Sequence, residues 1–494
     1  MVSVIINISF HKLFNKIVFV FVLLMIVSNE INCQAFQLKP ITIPDTIYRR
    51  SALKTSLGLV SLYTGIWAYD KAIKKPFADI SIATIKHNFK TGFLWDNDGF
   101  ETNMFDHPMQ GNFNFNIARY NGYNHWQSYI YNFGGSLFWE MLLENEPPSI
   151  NDQISTVVGG QAIGEVCYRI SDCIMTPYKR SFNRVSSELA NTLFVPTETI
   201  RRIINGNIWK VDYPKYSVIS EKPEVDFVFG IGYSKFIEKS KVNNYSGRMT
   251  LNFDTYYNDP FTIKIKKPFD YFNLKLVINL ISEQPIVNKM NIEGAIWIKR
   301  NILDNKNKLL YGIFQHYNYF DTDSTGVSAR QIPYKIAVPA SYGLGLMHKY
   351  EDKKIASINE IHINAILIGA GVTDHYNLNR RNYNFGPGYS YKIRSTTIYK
   401  DLVKIYAELM SFRIFTPKGT TPETIVNDDN FYTFQGDIGN STFNILNAGI
   451  EFNLIRRFVL HFELMHSFRK NIYKYYPEIH QADDEINIAL FYRL

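Results

Sequence analysis

The chain has 494 residues, 46% apolar, 20% charged and 15% aromatic, with a formal net charge of +8. That composition excludes a disordered or low-complexity chain. A mean hydropathy of -0.16 excludes a polytopic helical membrane protein, which needs several apolar runs of about 20 residues, but not a membrane β-barrel, whose strands are apolar on one face only. The charge is mild for the length, and no Lys/Arg stripe interleaved with aromatics occurs, so nucleic acid is not an expected partner.

The chain opens with His11, Lys12 and Lys16, an apolar run from Ile17 to Val27, and the polar stretch Ser28 to Gln34. A basic start, a short apolar core and a polar tail form the pattern of a secretory signal peptide, expected over 1–33 with cleavage near Cys33 to Ala35. Glu30-Ile31-Asn32 before Cys33 lacks a lipobox pattern. The other cysteines, Cys167 and Cys173, stand six apart with no CxxC or Cys/His ligand spacing around them. Neither a disulfide framework nor a metal or cofactor is therefore expected.

Residues 34–90 form an N-terminal segment with an apolar helix near Ser51 to Tyr69, and 91–215 a helical domain. Asn124 to Asn145 has apolar helical spacing. Ser149 is a good N-cap for the next helix, with Asp152 at its third position, where a carboxylate meets the helix dipole. Another helix follows Asn183, and Pro196 starts a last one that Gly206 stops.

From about residue 224 the apolar period becomes two. Twelve amphipathic segments begin near residues 225, 245, 271, 290, 308, 335, 355, 389, 402, 440, 456 and 484. In one of them Ile292, Ile296 and Ile298 are expected to face away from Glu293, Trp297 and Lys299. The last is the clearest: Ile486, Ile488, Leu490, Tyr492 and Leu494 alternate with Glu485, Asn487, Ala489, Phe491 and Arg493. An even count of segments about ten residues long fits a closed antiparallel outer-membrane β-barrel over 224–494, apolar face to lipid and polar face to the lumen. The terminal strand is similar to the assembly signal of such barrels, although Leu494 stands where Phe is usual. Outer-membrane lipid and the barrel-assembly machinery are the expected partners. A barrel of this size encloses space that side chains alone are not expected to fill, which favours some plug.

The helical domain carries the distinctive sequence: Trp95-Asp96-Asn97-Asp98, Asp106-His107-Pro108-Met109-Gln110-Gly111, Arg119, Gly122, Trp139-Glu140, Glu144, Pro148-Ser149-Ile150-Asn151-Asp152, Thr156, Gly160 and Gly164-Glu165. Over roughly residues 90–175 this resembles domain of unknown function 3943, a family of exported Gram-negative envelope proteins. The resemblance implies an exported envelope protein and transfers no biochemical activity. The series Glu140, Glu144, Ser149, Asp152, Thr156, Gly160 and Gly164 is also faintly similar to VanZ-like helical hairpins, in which small residues let two backbones approach closely.

The catalytic candidates are Asp106, His107, Glu140 and Asp152. His107 beside Asp106 suits a general base with its orienter, and Glu140 and Glu144 share a helix face. The competing structural reading makes Asp106-His107-Pro108 a turn, pairs Glu140 with Arg119 or Arg169, and leaves Asp152 as a cap. No GxSxG, HExxH or Walker pattern occurs. His316, His348, His362, His461 and His466 are scattered in sequence and read as lumen or girdle residues without a metal. The expectation is a barrel protein of the cell envelope, non-enzymatic, with a structural role or a passage or binding role for an unknown small molecule or lipid, its helical part periplasmic or plugging the barrel. The alternatives are a membrane-edge hydrolase or acyl-transfer enzyme and a soluble periplasmic binding protein.

Overall fold

The computed structural model describes residues 50–96, 98–175, 182–208, 223–237, 247–280, 284–323, 332–376, 381–424, 434–455 and 457–494. The expected signal peptide lies outside them. Residue contacts divide the chain into a helical unit ending at Pro223 and a barrel unit starting at Glu224.

The helical unit contains α1 (Ala52–Ala72), α2 (Ile82–Thr91), α3 (His107–Arg119), α4 (His125–Leu142), α5 (Ile150–Ile154), α6 (Gly160–Ile174), α7 (Phe182–Phe194) and α8 (Pro196–Ile204). Its helices start where the sequence supplies caps. Ser51 Oγ accepts from Lys54 N, Asn124 and Gln127 form a capping box, and Ser149 Oγ accepts from Asp152 N at 3.2 Å. Each cap satisfies an amide that the first turn leaves without a partner.

Two π-helical turns interrupt this regularity: Thr102–Asp106 runs into α3, and Ser155–Gly159 joins α5 to α6. The first corrects an expectation, because Asp106-His107-Pro108 is continuous helix and not a turn. Pro108, which has no backbone N–H to donate, stands just after this π turn. No described helix is long and apolar enough to cross a membrane.

α3 and α6 cross with their backbones in contact. A Cβ on Gly160 would lie 2.4 Å from Gly111 Cα, and one on Gly111 would lie 1.9 Å from Thr156 O. Gly164 lies against Phe115. Gly122 follows α3 at φ +85°, a left-handed conformation that glycine adopts without strain, and its carbonyl accepts from Arg50 Nε at 3.1 Å.

The barrel unit comprises β1 (Val225–Ile237), β2 (Arg248–Tyr257), β3 (Phe272–Asn279), β4 (Val287–Ile302), β5 (Asn307–Asp321), β6 (Lys335–Glu351), β7 (Ile355–Val372), β8 (Tyr383–Tyr399), β9 (Val403–Thr416), β10 (Gly439–Ile455), β11 (Phe458–Tyr473) and β12 (Ile479–Arg493). Each strand pairs with the next, and β12 closes on β1 from Val228↔Arg493 to Ile237↔Asp484, so the sheet is a closed twelve-stranded antiparallel barrel. Closure leaves no unpaired edge.

Strand alternation sorts the faces. On β12, Ile486, Ile488 and Leu490 are 41%, 42% and 47% exposed, while Glu485 is fully buried. Leu344, Ile363, Ile393 and Ile405 continue the exposed apolar surface on other strands. One face assignment is corrected: a bulge between Ala295 and Trp297 shifts the register with β5. Glu293 is therefore buried, whereas Trp297 is 51% exposed and Ile298 packs inside against Ala295, Leu310 and Phe314. An added residue re-aims every side chain beyond it.

Candidate functional site

The sequence motifs of the helical unit meet around the start of α5. Leu94 N donates to Pro148 O and Ile150 N to Leu94 O, both at 2.8 Å. This short bridge brings the Trp95-to-Asp98 loop alongside the Ser149-to-Asp152 turn. Asn151 ties the two together: its Oδ1 accepts from Asp96 N and Ser149 Oγ, each at 2.9 Å, and its Nδ2 donates to Asp152 Oδ1 at 2.8 Å. Asp96 Oδ2 in turn accepts from Asn103 Nδ2 at 2.9 Å.

His107, Glu140 and Asp152 come together at this turn. His107 Nε2 lies 3.6 Å from Asp152 Oδ1. Glu140 Oε2 accepts from Ser149 N at 2.9 Å. Its partner is therefore a backbone amide, which corrects the expected pairing with Arg119 or Arg169. Asp152 does not cap α5 itself, because Ser149 supplies the cap. Asp106 belongs to the π turn, where Glu101 is its charged neighbour. Glu144 Oε1 accepts from Trp139 Nε1.

Burial dominates the electrostatics. It raises the Asp106 carboxyl to about 7 and Glu140 to about 8, with negative neighbours adding to both. Burial also holds Glu144 and Asp152 well above the carboxylate range. The His107 imidazole is pushed below its usual value, again by burial, against the pull of Asp96 and Gln110. Burial thus favours the protonated form of Glu140, Glu144 and Asp152 and the neutral form of His107. Removing charge from water disfavours the ionised forms.

The arginines go elsewhere. Glu165 is fully buried, and burial opposes its charge, yet it lies well below the carboxylate range because Arg119, Arg169 and His125 surround it. Arg119 Nε is 3.0 Å, Arg169 Nε 2.9 Å and His125 Nδ1 3.1 Å from its oxygens. Sequence reading singled out Glu165 and Arg119 but missed His125. It also missed Asn132, whose side chain donates to Thr156 O and Val157 O at the second π turn (3.1 and 3.0 Å).

The barrel interior holds a second polar system. Lys392 on β8 donates to Glu293 on β4 at 2.7 Å, and Arg394 bonds Glu360 on β7. Arg248 on β2 bonds Glu485 on β12 and reaches Tyr334 Oη at 2.9 Å. Lys289 on β4 lies 3.4 Å from the same Glu485. An apolar layer follows, in which Phe320 on β5 meets Phe412 on β9 with ring centroids 6.4 Å apart. Side chains of strands that are not neighbours in the wall thus meet across the lumen at these levels. The histidines are not all scattered either: the rings of His316 on β5 and His362 on β7 lie 5.0 Å apart. Alternation placed these side chains on inward faces, but which strands register side by side is invisible in a single sequence.

Residues 92–197 match the family described as a domain of unknown function (DUF3943), as the motif resemblance implied. The likeness to VanZ-like hairpins is not borne out. No curated protein matches the chain. Similar solved structures include the NanC porin (8% identity, 55% of this chain and 100% of that one, TM-score 0.27). OmpT, an outer membrane protein of Vibrio cholerae, matches at 6% identity over 56% of this chain and 100% of its own (TM-score 0.25). The outer membrane channel DcaP of Acinetobacter baumannii matches at 8% identity over 56% and 99% (TM-score 0.23).

Proposed function

We propose that this chain is an outer-membrane protein of the cell envelope, whose barrel is a membrane-embedded anchor with a side-chain-filled lumen and whose helical unit lies in the periplasm. The observation that carries this reading is the outward apolar surface, with Leu344 69%, Ile363 64% and Leu490 47% exposed on a closed barrel. In water such a surface would drive association, and in a bilayer it is the lipid-facing band.

Connection lengths support the orientation. At the end where β1 begins, strands are joined by the short turns 303–306, 352–354, 400–402 and 456–457, with 258–271 as the longer one. The opposite end carries 238–247, 280–286, 322–334, 373–382, 417–438 and 474–478, of which four are ten residues or longer. Short turns face the periplasm in such barrels and long loops face outward. The polypeptide enters β1 from the short-turn end.

The filled lumen favours a structural or ligand-holding role over free diffusion. Contacts such as Lys392 on β8 to Glu293 on β4, and Arg248 on β2 to Tyr334 just before β6, join parts of the barrel that are not neighbours in the wall. Fractionation with a carbonate wash, followed by planar-bilayer recording on the purified chain, tests the reading. Retention in the membrane with conductance near baseline supports it. Release by carbonate would return the soluble binding protein, and a steady porin-sized conductance would overturn the filled lumen.

A second reading, proton-transfer chemistry at the helical cluster, is favoured by the 3.6 Å approach of His107 to Asp152 beside Glu140. Such perturbed groups concentrate at functional sites. Separate His107→Ala and Glu140→Ala variants that assemble normally and leave the envelope phenotype unchanged would remove it.

A further inference from the structure

We infer that the barrel interior contains a divalent transition-metal site of zinc class, made by Glu293, His316 and His362. Their ligand atoms lie within 4.8 Å of one another, and all three residues are buried. Two imidazoles and a carboxylate are a known zinc ligand set that leaves one coordination position open.

The topology builds this grouping. Glu293 and His316 are direct register partners on β4 and β5. His362 comes from β7, opposite Gly345 of the intervening β6. A Cβ at Gly345 would lie 2.7 Å from His362 Cε1 and 2.6 Å from the Phe314 ring. Glycine there lets the His362 and Phe314 rings fold over β6 towards His316.

A second, independent observation points to a ligand. His316 is 2% exposed and His362 fully buried. Among the described residues, His316 Nε2 and both ring nitrogens of His362 have no hydrogen-bond partner. Buried polar atoms are normally satisfied, and two neighbouring imidazoles left without partners are costly. His362 Nε2 faces Glu293 Oε1 at 3.7 Å, beyond hydrogen-bond reach. Coordination at about 2 Å would bind one ring nitrogen of each histidine after a small inward movement of the side chains.

The surroundings tolerate a cation. Lys392 holds the other oxygen of Glu293 at 2.7 Å, and Arg394 approaches Oε1 only at 3.5 Å. Around the site, Glu293, Glu360 and Glu408 face Lys392 and Arg394, three carboxylates against two cations. Bound metal would fix the His316 and His362 rings and lock β4, β5 and β7 together.

The full chain, refolded in detergent with zinc and passed through a desalting column, is expected to retain one zinc bound through His316 and His362. His316→Gln and His362→Gln should each weaken binding by about 100-fold or more, since even outer-shell changes cost about 10–100-fold. Exposed His466 and His480 stay in place in all variants, so surface binding cancels in the comparison. Cobalt loading of the wild type gives a readout free of variant folding: four- or five-coordinate cobalt with nitrogen and oxygen ligands absorbs strongly in the visible, without thiolate bands, and zinc bleaches it. Absence of retained zinc, equal retention in both folded variants, or a weak six-coordinate cobalt spectrum would overturn the site.

Discussion

Lys392 Nζ on β8 lies 2.7 Å from Glu293 Oε2 on β4, an ion pair that crosses the barrel lumen instead of following the wall. Lys392 also reaches Glu408 at 3.2 Å, so it joins strands from different parts of the barrel. Breaking a buried pair by removing one partner leaves the other charged and desolvated, at a cost of roughly 3–5 kcal/mol.

Lys392→Met is therefore expected to destabilise the barrel by about 3 kcal/mol. Lys470→Met, which removes an exposed pair with Glu478, should cost about 1 kcal/mol or less. Heat-dependent mobility in detergent gels reads both. Equal effects from the two substitutions would mean that the lumen is hydrated and the inner pair screened.

The crossing of α3 and α6 predicts a sharp contrast among glycines. Gly160→Ala should disrupt the helical unit, because the added methyl would overlap Gly111, with a loss of about 2 kcal/mol or more. Gly134→Ala meets no atom within 4 Å and should stabilise α4 by up to about 1 kcal/mol. Thermal unfolding of the full chain, followed by limited proteolysis of the helical segment, distinguishes the two outcomes.

The carboxyl cluster sets a pH dependence for the helical unit. Glu140 is raised to about 8 and Asp106 to about 7 when folded, with burial as the main cause. Their contribution is fully present below the unfolded carboxylate values and is lost as pH rises through about 7 to 8. His107 works in the opposite sense: lowered by burial, it contributes above its unfolded value and loses that contribution as pH falls. Four raised carboxyls outweigh one histidine, so resistance of this unit to protease should fall between pH 6 and 9 in the wild type. Glu140→Gln, which mimics the protonated acid, should flatten that fall. An unchanged profile in this variant would mean that Glu140 is ionised in the native state.

Much of this was legible because two periodicities carry it. The alternation of Ile486, Ile488 and Leu490 with Glu485, Asn487 and Ala489 identifies the faces of the closing strand. Ser149 announces the start of α5 through its hydroxyl. The pairing partners were not legible. In sequence Arg119 and Arg169 both suit Glu140, and only the folded helical unit gives both to Glu165. Trp297 shares parity with Glu293 in sequence but not in space, because the bulge between them carries no strong local signal. His316 and His362 stand 46 residues apart and meet only because β5 and β7 flank a glycine-bearing β6.

The most direct measurement is the environment of the outer face in a bilayer. Single nitroxide labels at Leu344, Ile363 and Leu490, three exposed apolar positions on separate strands, and at Lys306 in a hairpin turn would be compared in reconstituted vesicles. Labels at the three apolar positions should collide freely with oxygen and hardly at all with a water-soluble nickel complex, while Lys306 shows the reverse. Nickel reaching Ile363 and Leu490 as readily as Lys306 would contradict a barrel wall bathed in acyl chains.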